Sequence, residues 1–146
     1  MTDRPQHFDT LQIHAGAAPA PATGARQVPI YQSTAYVFQD ADHAARLFNL
    51  QEVGYIYSRL TNPTVSALAE RITHLEGGAG GICCSSGHAA QIMALFPLMM
   101  PGCNIVASTR LYGGTYTQLT QTIKRFGWSA TLVDFDDLDA VKAAID

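Results

Sequence analysis

The chain has 146 residues, close to the usual size of one domain and long enough for a sizeable core. Nine basic and twelve acidic residues give a net charge of −3 with no basic run, which argues against nucleic acid as a partner and leaves small anionic ligands open. Cys83, Cys84 and Cys103 sit in apolar contexts and are odd in number, so they read as reduced core thiols rather than a disulfide frame.

At the N-terminus, residues 1–8 are polar and no apolar signal core follows. No apolar run anywhere reaches membrane-spanning length, so the expectation is a cytoplasmic chain with no membrane partner. Residues 1–36 lack periodicity, and 15–25 are small and Pro/Gly-punctuated; this predicts an extended arm, either flexible or laid across a neighbouring subunit. The apolar run 28–36 should be buried, but Pro29 excludes it from a central strand. A helix is predicted over 40–50, with Asp40 as N-cap, Phe38 near the staple position and Ala41, Ala44, Ala45 and Phe48 as its apolar stripe. Residues 54–60 then form a loop or short extended segment.

Asn62-Pro63 opens the next helix, Asn as N-cap and Pro at its first position, with Val65, Leu68, Ile72 and Leu75 along one face until Gly77-Gly78. Residues 79–84 read as a strand, and 89–100 as a helix with almost no polar face, buried on most sides and shortened by Pro97. After the Pro101-Gly102 turn, 103–107 read as a strand covered on both faces. A glycine-bearing loop over 109–115 leads into a helix carrying Leu119, Ile123 and Phe126 on one face and ending at Gly127. Residues 129–135 make a third strand, and Asp137 caps a helix with Leu138, Val141 and Ile145 on one face. This alternation predicts an α/β fold with a mostly parallel sheet. The helix only just begun at the last residues leads to the expectation that the chain is the N-terminal part of something longer.

Three places carry chemistry. Ser86-Gly87-His88 lies at a strand-to-helix turn, where the N–H groups of Gly87 and His88 and the Ser86 hydroxyl would face an anion at the positive end of a helix. The alternative is an ordinary turn; no Walker lysine follows it and no Gly-x-Gly-x-x-Gly fingerprint exists. Tyr57-x-Arg59 sets a phenol and a guanidinium two residues apart, either to reach one phosphate or as a surface Arg beside a packed Tyr. Tyr112, beside Gly113-Gly114, would stack on a planar ligand or be an ordinary half-buried aromatic. His7, His14, His43, His74 and His88 are scattered and no C-x-x-C occurs, so no metal site is expected. Ser85 and Ser86 lack the Gly-x-Ser-x-Gly elbow, which speaks against a hydrolase nucleophile.

Taken together in order, Gly54-Tyr55-Ile56-Tyr57-Ser58-Arg59-Leu60-Thr61-Asn62-Pro63-Thr64, Leu75-Glu76-Gly77-Gly78, Ser85-Ser86-Gly87-His88-Ala89-Ala90 and Leu111-Tyr112-Gly113-Gly114-Thr115 resemble the N-terminal part of the Cys/Met-metabolism family of pyridoxal phosphate enzymes, of fold type I. Within it the likeness is greatest to the O-acetylhomoserine sulfhydrylase branch. The resemblance implies that Ser86, Gly87 and His88 bind the phosphate of pyridoxal 5'-phosphate and that Tyr112 stacks on its ring and assists proton transfer. It implies that Tyr57 and Arg59 reach the phosphate held by a neighbouring subunit, in a homotetramer with shared active sites. Residues 1–60 would then be an arm and helix serving that neighbour, and 61–146 the incomplete start of the cofactor-binding α/β domain. The implied reaction replaces the acetate of O-acetyl-L-homoserine by sulfide or a thiol, giving homocysteine or methionine. Cystathionine γ-synthase and methionine γ-lyase share much the same first half, and a catalytically silent interaction module is a further alternative. Many members have Met at the position of His88; a backbone donor survives that change. The family's Schiff-base lysine falls beyond Asp146, since Lys124 and Lys142 sit in helix patterns, so the chain as given is expected to be catalytically incomplete.

Overall fold

A computed structural model describes residues 6–145; the first five residues of the predicted arm and Asp146 lie outside the described residues. The chain divides into two compact units, Met1–Cys83 and Cys84–Asp146.

The first unit holds three helices, α1 (Phe8–His14), α2 (Ala41–Phe48) and α3 (Pro63–Glu76). The N-terminal segment, expected to be extended, carries a helix at Phe8–His14. Helix α1 packs on α3, and the Arg71 guanidinium donates to the carbonyls of Ala15 at 2.9 Å and Ile13 at 3.4 Å, satisfying the free C-terminal end of α1. Gly16 turns the chain with φ 66°, and a Cβ there would lie 2.3 Å from the Ala67 carbonyl oxygen, so this close approach needs glycine. Farther on, Asp40 caps α2 through the His43 N–H at 2.7 Å, as expected. Leu47 rather than Phe48 is the buried residue of that helix; Phe48 rests its ring 6.0 Å from Phe38 and stays largely exposed.

Helix α3 begins at Asn62-Pro63 and ends at Gly77, which takes φ 64°. Its predicted core face is about half exposed at Val65, Leu68 and Ile72. The segment 79–84, expected to be a strand, has no ladder partner among the described residues. It runs back along α3 instead: a Cβ on Gly81 would touch Thr73 Oγ1 at 2.8 Å, and Cys83 Sγ lies 3.9 Å from the Val65 carbonyl. Strand geometry needs a neighbour to take its N–H and C=O groups, and an apolar sequence does not supply one.

In the second unit, α4 (Gly87–Leu95) precedes strand β1 (Asn104–Ser108), then α5 (Gly113–Thr120), a 3₁₀ turn (Thr122–Phe126), strand β2 (Ser129–Val133) and α6 (Leu138–Ala143). The strands pair in parallel from Asn104↔Ser129 to Ser108↔Val133, with α5 and the 3₁₀ turn as the crossover, so the α/β reading with a parallel sheet holds. Its core is Ala107, Leu119, Ile123 and Trp128, with the Trp128 ring 5.0 Å from that of Phe126.

In this unit two helices differ from expectation, as do the cysteines of the chain. Helix α4 stops at Leu95 rather than near Met100, because Pro97 has no N–H to continue it. None of its residues is fully buried, and Met93 is half exposed. The helix expected after the 109–115 loop starts earlier, at Gly113, then breaks at Gln121 and tightens to 3₁₀; four threonines cluster there, and Thr120 Oγ1 donates back to the Tyr116 carbonyl at 2.7 Å, competing with the α-helical ladder. The three cysteines are free but not core: Cys83 is exposed, and Cys84 and Cys103 are half-buried.

Candidate functional site

The turn before α4 is built by a cap. Ser86 is extended, and its Oγ accepts the Ala89 N–H at 3.2 Å, which leaves the hydroxyl proton free to donate. The N–H groups of Gly87 and His88 precede the first intrahelical bond, from Ala90 to the Ser86 carbonyl, and find no acceptor among the described residues. A Cβ at Gly87 would meet nothing within 4 Å, so the turn is open beside Gly87, at the positive end of α4 where this pair of donors lies. The residues therefore suit an anion such as a phosphate monoester.

Tyr112 sits against the same turn. Its ring lies 6.0 Å from the His88 imidazole at an interplanar angle of 28°, and it is 77% exposed. Both rings rest on Gly114: a Cβ there would lie 2.5 Å from His88 Cε1 and 2.9 Å from Tyr112 Cε1. The loop carrying Tyr112 is held at the carboxyl end of the sheet. Thr109 N–H donates to the Val133 carbonyl at 3.0 Å, and Arg110 pairs with Asp134 at 3.1 Å and Asp136 at 2.7 Å. The carboxyl ends of parallel strands are where open α/β sheets bind ligands.

Two glutamines that the sequence reading passed over join α4 to α5. Gln118 Nε2 donates to the His88 carbonyl at 3.2 Å, and Gln91 Nε2 to Thr115 Oγ1 at 3.2 Å. Gln118 is 6% exposed, so its bond is made away from water and holds the His88 backbone in register with α5. Neither glutamine stood out in sequence; a polar residue recurring inside an apolar helix face was the only signal.

Tyr57 and Arg59 belong to the first unit. The Arg59 guanidinium carbon lies 5.4 Å from the centroid of the Tyr57 ring, so the two side chains are presented together. Tyr57 bridges to Ala35 in antiparallel fashion, and its carbonyl accepts from Leu60 N–H at 2.9 Å and Thr61 N–H at 3.1 Å, closing the turn that carries Arg59. Thus the structure brings Tyr57 to Arg59, and His88, which follows Ser86 and Gly87 in the same turn, to Tyr112. Lys142 is exposed on α6 near Asp139, and Lys124 lies in the 3₁₀ turn. Among the described residues, no three His, Cys, Asp or Glu side chains are grouped to hold a metal, and no helix is long and apolar enough to cross a membrane.

Residues 9–146 match the Cys/Met metabolism PLP-dependent enzyme family. The chain belongs to this family. Its cofactor is pyridoxal phosphate, and the open amide pair before α4 fits the phosphate of such a group. Over 141 residues the chain is 51% identical to homocysteine synthase of Schizosaccharomyces pombe, covering 97% of this chain and 33% of that protein. It is 54% identical over 120 residues to O-acetyl-L-homoserine sulfhydrylase 1 of Thermus thermophilus, covering 82% of this chain and 28% of that one. A crystal structure from Campylobacter jejuni, assigned as an O-acetylhomoserine (thiol)-lyase and containing N'-pyridoxyl-lysine-5'-monophosphate, superposes with a TM-score of 0.90 at 45% identity. That match covers 97% of this chain and 35% of the other. The chain thus spans about a third of the length of the relatives it matches.

Proposed function

We propose that the protein carrying this chain replaces the acetate of O-acetyl-L-homoserine by sulfide or a thiol, releasing acetate and homocysteine or methionine. The observation that carries this reading is the open pair of amides at Gly87 and His88 beside the exposed ring of Tyr112, in a chain about half identical to homocysteine synthase and O-acetyl-L-homoserine sulfhydrylase. Bound there, pyridoxal phosphate supplies an electron sink for carbanion chemistry on an amino-acid substrate.

The chain's own residues have separable tasks in this reading. The N–H groups of Gly87 and His88 bind phosphate oxygens, and the Ser86 hydroxyl adds a third donor while its lone pair caps α4. Tyr112 stacks on the flat ligand and holds a proton at its hydroxyl next to the reacting carbons. Tyr57 and Arg59 bind the phosphate held by a neighbouring subunit, the guanidinium giving a charge-assisted pair. Residues 1–60 would accordingly serve that neighbour and 61–146 the cofactor domain, in a cytoplasmic homotetramer.

The test is an acceptor comparison on the protein that carries this chain. With O-acetylhomoserine as donor, sulfide should yield homocysteine and acetate in equal amounts, whereas cysteine should yield little cystathionine. A preference for cysteine moves the assignment to cystathionine γ-synthase, and turnover of methionine without an acceptor moves it to a γ-lyase.

A further inference from the structure

We infer that Asn62 is a positioning residue that, through Ser58, sets Tyr57 and Arg59 toward the phosphate held by a neighbouring subunit; this rests on the phosphate role proposed for that pair. A helix N-cap needs only an acceptor, and Asn62 Oδ1 fills that need by taking the Thr64 N–H at 2.9 Å. Aspartate, serine or threonine would serve α3 equally well. The other half of the amide does something that none of these can do. Asn62 is 7% exposed, and its Nδ2 lies 2.9 Å from the Tyr31 carbonyl, 3.0 Å from Ser58 Oγ and 3.2 Å from the Tyr36 hydroxyl. Two amide protons are shared among three acceptors drawn from two separate segments of the chain.

Ser58 is the member of that set that matters for the site, because it stands between Tyr57 and Arg59. Its hydroxyl accepts from Asn62 and donates to the Ser33 carbonyl, and its N–H donates to the Thr34 carbonyl at 2.8 Å. The residue between the two anion-binding side chains is thereby fixed through both its N–H and its hydroxyl. Tyr57 and Arg59 themselves remain exposed, with the guanidinium over the phenol ring. This is a limb whose root is buried and hydrogen-bonded and whose polar ends are free to reach outward.

Exchange of the amide for a carboxylate separates the two halves of Asn62. Asn62→Asp keeps the cap acceptor but removes both protons and sets a charge against the Tyr31 carbonyl. The experiment titrates pyridoxal phosphate into the apo form of the protein that carries this chain, for Asn62→Asp, Arg59→Ala and the double variant, with thermal unfolding of each apoprotein alongside. Arg59→Ala should weaken cofactor binding by about tenfold or more, for loss of a charge-assisted bond. Asn62→Asp should weaken it by about fivefold to tenfold, but cause little further loss once Arg59 is gone. Ser58→Ala, which leaves the cap untouched, should reproduce the loss and carries the test should Asn62→Asp not fold. Unchanged affinity in both Asn62→Asp and Ser58→Ala overturns the inference. A full second loss on top of Arg59→Ala also overturns it, since that is the mark of a merely structural role. Unchanged affinity in Arg59→Ala would overturn the phosphate role itself, and the inference with it.

Discussion

Gly114 has space for a hydrogen and little else, yet what crowds it is two side-chain ends rather than backbone. The rings of His88 and Tyr112 can swing away from an added methyl, so Gly114→Ala should cost little stability. Alanine in the first turn of α5 could even add up to about 1 kcal/mol by helix propensity. The displaced Tyr112 ring, however, would no longer lie where a planar ligand stacks. We expect thermal unfolding of Gly114→Ala at or above the parent temperature, together with weaker pyridoxal phosphate binding by titration; unchanged binding would mean that the Tyr112 ring position is not critical. At this scale the glycine motif was visible in sequence, but its reason was not. Gly113-Gly114 looked like loop chemistry, whereas Gly114 is small because a histidine 26 positions earlier lies on it, a contact that no local pattern contains.

The start of α4 is where local sequence and site coincide. Ser86 is both the cap of the helix and a neighbour of the proposed phosphate, and the two roles respond oppositely to charge. Ser86→Ala should cost about 1 kcal/mol of stability by chemical denaturation, the usual loss for a removed N-cap. Ser86→Asp should keep that stability, since a carboxylate caps well and suits the helix dipole, but should repel a phosphate and abolish cofactor binding. A Ser86→Asp protein that still binds pyridoxal phosphate at parental affinity would place the anion elsewhere. The helix starts with a side-chain cap were the legible ones: Asp40, Asn62 and Asp137, each expected as an N-cap, accept N–H groups in the first turn of their helices, as Ser86 also does, whereas α1 and α5 begin without such a cap. Helix ends and strands were less so. The break at Gln121 and the missing strand over 79–84 depend on side-chain competition and on a partner strand, neither of which periodicity reports.

For the molecule as a whole, burial departs furthest from what the sequence suggests. Apolar stripes on α3 and α4 predict core, yet Val65, Leu68, Ile72 and Met93 are about half exposed. Contiguous apolar faces of this kind mark surfaces that other protein covers. Residues 1–146 expressed alone should therefore bind a hydrophobic dye and self-associate with rising concentration. Sedimentation and dye fluorescence would check this; a chain that stayed monomeric and dark would contradict the exposure described. The segment 79–84 is a parallel case, its apolar Ile82 being largely exposed, since an apolar run does not say what will cover it.

By itself the sequence determined the capped helix starts at Asp40, Asn62 and Asp137, the strand-helix alternation of residues 104–143 and the ordered motifs that point to a pyridoxal phosphate enzyme. Caps, turns and spacing are local, and a few adjacent residues specify them. Only the tertiary structure decided that Asn62 uses both halves of its amide, that Gln118 holds the His88 carbonyl, that His88 and Tyr112 share the floor of Gly114, and which apolar faces are buried. Those features depend on donors, acceptors and surfaces supplied by residues distant in the chain, and a side chain's partner is a property of the fold rather than of its neighbours in sequence.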